Sequence, residues 1–197
     1  MCTFQICVRA LAACSAALLL AACATTDAPQ HQTGTGSYSS TTTTPRPTAP
    51  ASKVDWPVLH KELATALRDA AGAELGEPTA SGIHLRIPVS NGFASGSAEP
   101  RPALTKVLDS LVAPLGSRPQ VTVKIVGHTD SQGSEMYNLQ LSIQRAEAVM
   151  EYLRSRGIAY ERLAADGKGE MEPIADNAKE ATRARNRRVE IILGTTQ

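Results

Sequence analysis

The pattern of apolar and polar positions divides the chain into three parts. A largely apolar run extends from Ala10 to Ala22, and the segment from Ala24 to Ser52 has no aliphatic residue larger than alanine. From Val54 onwards, apolar residues recur with the periodicities of helices and strands. We predict a leader at 1–22, a tether at 23–53 and a folded region at 54–197, whose length fits a single domain.

Helical and strand periodicities alternate along residues 54–197. Apolar residues recur at spacings of three and four from Trp56 to Leu67, which predicts an amphipathic helix over 55–71. The other predicted elements are strands over 72–77 and 82–89, a loop over 90–97, a helix over 101–115, a strand over 121–126, a helix over 135–156, a strand over 162–167, a helical turn over 182–185 and a strand over 188–193. This order predicts an α/β domain layered on one sheet.

The first part of the chain has the features of an export signal. Its apolar run of about 13 residues follows Arg9 and is shorter than the roughly 20 residues of a membrane-spanning helix. The run ends in Leu20-Ala21-Ala22-Cys23, which resembles a bacterial lipobox and predicts lipidation of Cys23. Ala24 resembles the residue that directs such proteins to the outer membrane. Ordinary secretion, with Cys23 as an incidental thiol, is the alternative.

The tether and the cysteine positions limit the chemistry of the remaining chain. Residues 24–52 are rich in Thr, Ser, Pro and Gly, and such a segment cannot bury enough apolar surface to offset its ordering entropy. All four cysteines lie at or before Cys23. The folded domain therefore has no disulfide, no thiol nucleophile and no cysteine-based metal site.

Charge and motif content exclude further function classes. The chain has 20 Lys and Arg against 19 Asp and Glu, a balance that does not suit nucleic-acid binding. His128-Thr129-Asp130 lacks the remaining parts of a hydrolytic triad, and we interpret His128 as a packed loop residue. The histidines are scattered without ligand spacing. We predict no metal, no cofactor and no enzymatic activity.

A series of motifs between Gly127 and Arg188 carries a family resemblance. Its parts are Gly127-His128-Thr129-Asp130, Tyr137-Asn138, Leu141-Ser142, Arg145-Ala146, Gly157-Ile158, Arg162-Leu163, Gly167-x-Gly169, Pro173-Ile174-Ala175-Asp176-Asn177 and Arg185-Asn186-Arg187-Arg188. The series resembles the OmpA-like C-terminal domain, which is shared with the peptidoglycan-associated lipoprotein and with flagellar stator proteins. The resemblance covers about 110 residues, from Ile83 to Leu193. It implies a β-α-β-α-β fold with helices packed on one mixed sheet, here preceded by an extra helix and strand.

The resemblance also implies a ligand and the residues that bind it. The ligand is the diaminopimelate residue of peptidoglycan stem peptides, which carries an ammonium and a carboxylate on one carbon. Asp130 matches the family's acid and Arg145 its base, and arginine's planar fork can bind a carboxylate at two points. The predicted supporting or contacting residues are Thr129, Asn138, Phe93, Arg187 and Arg188. A structural ion pair between Asp130 and Arg145, joining a loop to its helix, is the alternative.

One position departs from the family pattern. Family members commonly place an acidic residue after the phenylalanine of the loop before the first domain helix, whereas Ala94 follows Phe93 here. This difference predicts either weaker binding or a compensating backbone contact.

These features predict an outer-membrane lipoprotein that tethers the membrane to the cell wall, with its domain in the periplasm. Its expected partners are peptidoglycan and, through Cys23, the outer membrane. A scaffold that recruits an unidentified protein of a trans-envelope machine is the main alternative. An enzyme acting on the wall is a weaker one, since no metal cluster or carboxylate pair is recognisable in the sequence.

Overall fold

The structure, a computed structural model, describes residues 53–70 and 72–195. The predicted leader, Cys23 and nearly all of the predicted tether lie outside these residues, so the expectations about them remain predictions. No helix in the described part of the chain is long and apolar enough to cross a membrane.

In the described part of the chain, five strands form one mixed sheet. They are β1 (Glu74–Leu75), β2 (Ile83–Pro88), β3 (Val121–Gly127), β4 (Leu163–Gly167) and β5 (Arg188–Thr195), in the spatial order β1-β2-β5-β3-β4. The last strand, β5, lies between β2 and β3 and is antiparallel to both, whereas β3 and β4 are parallel. The predicted mixed sheet is therefore confirmed.

Within residues 53–195, as far as they are described, three longer helices and two short ones accompany the sheet. They are α1 (Trp56–Ala66), α2 (Val89–Gly92), α3 (Pro102–Gly116), α4 (Glu135–Ser155) and α5 (Glu180–Asn186), with a 3-10 turn at Tyr160–Arg162. α3 packs between α1 and α4, and α4 packs on β3 and β4. The predicted β-α-β-α-β order, preceded by an extra helix and strand, is confirmed.

The core lies between the helices and one face of the sheet. On β2, Ile83, Leu85 and Ile87 are buried, while His84 and Arg86 between them are more exposed, as expected for a strand with one covered face. The leucines of α3 at 104, 108, 111 and 115 are completely buried. Burial of one such side chain stabilises the fold by roughly 1.5–3 kcal/mol, so this apolar layer fixes α3 against the sheet.

α4 is the helix that positions the site. Ser134 caps its start by accepting a hydrogen bond from the backbone N–H of Tyr137 at 3.3 Å, and Gly157 ends it with a φ of 92°. Its buried side is polar near the start, at Asn138 and Arg145, and apolar towards the end. The C-terminal half of α4 therefore packs in the apolar core, and its N-terminal half carries the buried polar side chains.

Two glycines bring α4 unusually close to the sheet. A Cβ on Gly127 of β3 would lie 2.1 Å from the carbonyl oxygen of Ser142, and one on Gly167 of β4 would lie 2.5 Å from the backbone nitrogen of Ile143. Any larger residue would push the helix outwards. These contacts fix the depth of the polar half of α4.

Three predicted boundaries were wrong. The first helix was predicted to reach 71 but ends at Ala66, after which the chain turns so that Leu67 and Ala70 are still buried. The strand predicted over 72–77 has only two residues at the edge of the sheet. The predicted loop over 90–97 begins within α2, where the backbone N–H of Phe93 donates to the carbonyl of Val89 at 2.8 Å.

Candidate functional site

A polar cleft lies at one end of the sheet, between α4, α5 and two loops. One loop, residues 93–100, joins α2 to α3 and is called the cleft loop below. The other follows β3. The cleft has a volume of about 640 Å³. Its lining includes Ser90, Phe93, Gly96, Arg101, Thr129, Asp130, Gln132, Tyr137, Asn138, Arg145, Glu180, Arg183 and Arg187.

Asp130 is held in place by three other residues. It is 6% exposed, and its Oδ1 accepts a hydrogen bond from the backbone N–H of Gln132 at 3.0 Å. Its Oδ2 lies 2.5 Å from Nη1 of Arg187. The side-chain amide of Asn138 donates to the carbonyls of Asp130 and Gln132, both at 3.1 Å. The carboxylate is therefore fixed at the floor of the cleft.

Arg145 is a buried cation without an acidic partner. It is 3% exposed, its Nε donates to the carbonyl of Ser97 at 2.9 Å, and its Nη2 donates to the carbonyl of Ala94 at 3.5 Å. The guanidinium lies 5.4 Å from the centre of the Phe93 ring. No described residue forms an ion pair with it, and burial lowers its pKa below the usual range. An anion bound in the cleft would offset the free-energy cost of burying the positive charge of Arg145.

The cleft loop supplies these carbonyls because its ends are fastened together. Phe93 and Pro100 form an antiparallel bridge, and the backbone N–H of Ser97 donates to the carbonyl of Ala94 at 3.1 Å. Gly96 at the tip has a φ of 66°, which favours glycine. Backbone carbonyls thus contact Arg145 where the family pattern has an acidic residue, and the effect of Ala94 on binding stays a prediction.

Asp130 and Arg145 do not form the ion pair that was the structural alternative. The carboxylate of Asp130 pairs instead with Arg187, which also contacts Glu180 Oε1 at 2.5 Å. Hydrogen bonds to Glu180, and secondarily to Asp130, raise the pKa of Arg187 despite its partial burial. Both predicted binding residues therefore line the cleft with separate protein partners.

Thr129 and His128 are buried polar residues with unsatisfied atoms. Thr129 lines the cleft, but its hydroxyl oxygen is closed off from solvent and has no hydrogen-bond partner among the described residues. Buried hydroxyls are nearly always paired, so the burial of this one costs free energy. His128 does not line the cleft. Its burial, aided by the charge of Arg188, lowers its pKa to about 4.

Arg188 is the one predicted residue that the structure places outside the cleft. Its Nε donates to Glu190 Oε1 at 2.6 Å, and its other nitrogens donate to the carbonyls of Asn186 and Glu172. It supports the segment beside the site and does not line it. The cleft is lined by the other predicted binding and supporting residues, which are Phe93, Thr129, Asp130, Asn138, Arg145 and Arg187.

Sequence reasoning missed three charged residues of the cleft. Glu180 and Arg183 belong to α5, and Arg183 Nη2 lies 2.9 Å from Glu180 Oε2. Together with Arg187 they follow the spacing of three and four that marks one helix face, which is a usable sequence signal. Arg101 precedes α3 and had no such signal, because only the folded cleft loop brings it to the site.

The arrangement suits the binding of a zwitterion. It combines a fixed carboxylate, a buried guanidinium with spare donors and an unpartnered hydroxyl. Among the described residues, no group of three or more His, Cys, Asp or Glu is placed to hold a metal ion. The cleft's own groups thus include an acid, Asp130, and a base, Arg145, that do not pair with each other.

The cleft and its sheet define a member of a known class of domain. The sequence model of the OmpA family matches residues 92–187. Among solved structures, the cell wall anchor of the T6SS from Pseudomonas aeruginosa is 30% identical in sequence to this chain, with a TM-score of 0.61. The match covers 68% of this chain and 97% of the anchor. The chain belongs to the OmpA family.

Two curated relatives match over parts of their length. Peptidoglycan-binding protein ArfA of Mycobacterium tuberculosis is 43% identical over 101 residues, 51% of this chain and 31% of ArfA. Probable lipoprotein YiaD of Escherichia coli is 38% identical over 111 residues, 56% of this chain and 51% of YiaD. The chain thus spans about a third of the first relative and half of the second.

Proposed function

We propose that this chain is an outer-membrane lipoprotein that binds peptidoglycan without covalent linkage and tethers the membrane to the cell wall. Cys23 carries the lipid, the residues up to 53 form the tether, and the domain faces the periplasm and performs no catalysis. The name of YiaD, a probable lipoprotein, supports the anchor, and the name of ArfA supports the wall ligand.

One observation carries the proposal: a fixed carboxylate and an acid-free, buried guanidinium line the same cleft. The side chain of diaminopimelate ends in an ammonium and a carboxylate on one carbon. Asp130 binds the ammonium. Each of its carboxylate oxygens accepts one hydrogen bond from the protein and has the capacity to accept another. Arg145 binds the carboxylate through donors that the cleft loop leaves unused.

The remaining groups complete the binding site. Arg187 keeps Asp130 oriented by pairing with its Oδ2. Asn138 holds the backbone of the Asp130 loop. Because these groups are positioned before the ligand arrives, binding costs little reorganisation of the protein.

A wall-anchored scaffold for a trans-envelope machine is the second candidate. It is favoured by the 30% identity to the cell wall anchor of the T6SS, over nearly all of that chain. Both candidates use the same wall-binding cleft. They differ in whether another protein binds elsewhere on the domain.

The test is calorimetric titration of the full chain in mild detergent with two stem tripeptides. One is L-Ala-γ-D-Glu-meso-diaminopimelate, and the other has L-lysine in place of diaminopimelate and so lacks the side-chain carboxylate. A charge-assisted hydrogen bond is worth about 1.5–3 kcal/mol. We expect the lysine peptide to bind at least tenfold more weakly.

Variants locate the site in the same assay. Arg145→Lys keeps the charge but loses the fork, and Asp130→Asn keeps the shape but loses the charge; both weaken binding of the diaminopimelate peptide. Arg68→Gln removes an exposed charge away from the cleft and leaves binding unchanged. Equal binding of the two peptides, or no binding of either, contradicts the proposal.

A further inference from the structure

The charges of the cleft are unbalanced. Four arginines line it against two carboxylates, which gives a net charge of two positive, whereas the whole chain has a net charge of only +1. The excess is therefore concentrated at this site. A single zwitterion is neutral overall and would leave the imbalance as it is.

Two of the four arginines account for the surplus positive charge of the cleft. Arg187 pairs with Asp130 and Glu180, and Arg183 pairs with Glu180. Arg145 and Arg101 form no ion pair with any residue in the described part of the chain. Arg145 is assigned to the side-chain carboxylate of diaminopimelate, so Arg101 is left as a second cation without an anion.

Arg101 is placed to reach a bound peptide. Its side chain is exposed and lines the cleft, and its one hydrogen bond among the described residues is from Nη1 to the carbonyl of Ser90 at 3.3 Å. It stands directly before α3, where the positive end of the helix dipole also favours an anion. Arg101 contacts the backbone of α2, and Arg145 contacts that of the cleft loop, which directly follows α2.

We propose that Arg101 binds a second carboxylate of the same stem peptide and so makes the site selective for stems whose carboxylates are free. The inference rests on the proposed function. A stem tripeptide has two such groups besides the diaminopimelate zwitterion: the α-carboxylate of the γ-linked glutamate and the carboxylate at the chain end. Arg101 binds one of these two carboxylates.

Amidated peptides show which of these two carboxylates Arg101 binds. The diaminopimelate tripeptide is compared with one amidated at the glutamate α-carboxyl and one amidated at the chain end. Each is titrated into the full chain in detergent, as wild type, Arg101→Gln and the charge-matched control Arg68→Gln. Thermal melting verifies that all three proteins are folded, as expected for replacement of an exposed side chain.

We expect Arg101→Gln to bind the free tripeptide about two- to fivefold more weakly than Arg68→Gln, the range of a partly exposed ion pair. We expect one of the two amidated peptides to bind wild type more weakly than the free tripeptide by the same factor. Arg101→Gln should bind that amidated peptide as tightly as it binds the free tripeptide. The amidated position then identifies the carboxylate that Arg101 binds. If Arg101→Gln binds like Arg68→Gln, or if both amides bind wild type as tightly as the free peptide, the inference is wrong while wall binding stands. If wild type binds no diaminopimelate peptide, both fail.

Discussion

At the scale of single residues, the site depends on buried polar groups that the protein itself does not fully satisfy. Arg145 lies in the cleft with only carbonyl partners, and the Thr129 hydroxyl has none among the described residues. A buried hydroxyl left unpaired destabilises the folded state by about 1–3 kcal/mol. The proposed ligand would provide Arg145 with the opposite charge that its carbonyl partners lack.

His128 makes the stability of the domain depend on pH. The unfolded histidine takes up a proton near its ordinary pKa of 6.5, whereas the folded one does so only near 4. Stability is therefore unaffected above about pH 7 and falls as the pH drops from 6.5 towards 4, by about 2 kcal/mol at pH 5. In His128→Leu this loss should be absent, as measured by urea unfolding at pH 7 and pH 5.

The acidic group beside His128 titrates at lower pH. Burial raises the pKa of Glu190, but the hydrogen bond and charge of Arg188 bring it below the usual value of 4.5 overall. Its contribution to stability is therefore lost only below about pH 4.5, outside the range from pH 7 to pH 5. If both proteins lose the same stability between pH 7 and pH 5, His128 is not the group responsible.

The sequence allowed Asp130 and Arg145 to be predicted as residues of one site and Arg187 as a supporting residue, but not which atoms each would contact. Asp130 and Arg145 lie in recognisable motifs at a fixed spacing. The Asp130–Arg187 pair joins residues 57 positions apart, and only the arrangement of β5 beside β3 brings them together. The carbonyls of Ala94 and Ser97 carry no side-chain signal at all.

At the scale of elements, the placement of α4 on the sheet controls the site. Gly127→Ala puts a methyl group against the backbone of Ser142 and forces the helix outwards. Overpacking of this kind costs about 1–3 kcal/mol. We expect Gly127→Ala to melt several degrees lower than wild type and to bind the diaminopimelate tripeptide more weakly.

Gly116→Ala is the matched control for that substitution. Gly116 ends α3, and a Cβ there would meet nothing within 4 Å. Alanine should raise stability by about 0.4–1 kcal/mol, because it restricts the unfolded chain, and leave binding unchanged. Equal melting temperatures for the two variants would mean that α4 is not fixed by its contact with Gly127.

The elements also show what periodicity can and cannot reveal. The boundaries of α3 and α4 follow from apolar spacing, a serine cap and a terminal glycine, and they were predicted closely. α2 has only four residues, too few for a periodic pattern, and it was predicted as loop. β1 is set by pairing with β2, a non-local contact that residue spacing does not contain.

At the scale of the whole molecule, the extra helix α1 belongs to the same core as the family fold. Leu59 and Leu63 are buried in one apolar cluster with the leucines of α3 and with Leu153 of α4. Leu63→Ala should therefore lower the free energy of unfolding by about 2–5 kcal/mol in a single cooperative transition. Two separate transitions in calorimetry would show that α1 is an independent appendage.

The central claim is that the cleft binds the cell wall through Asp130 and Arg145. The most direct test is co-sedimentation of the full chain, in mild detergent, with purified diaminopimelate-type sacculi. Wild type and Arg68→Gln should pellet with the sacculi, while Asp130→Asn and Arg145→Lys, verified as folded by circular dichroism, should remain largely in solution. Pelleting of all four proteins alike, or of none, would contradict the account.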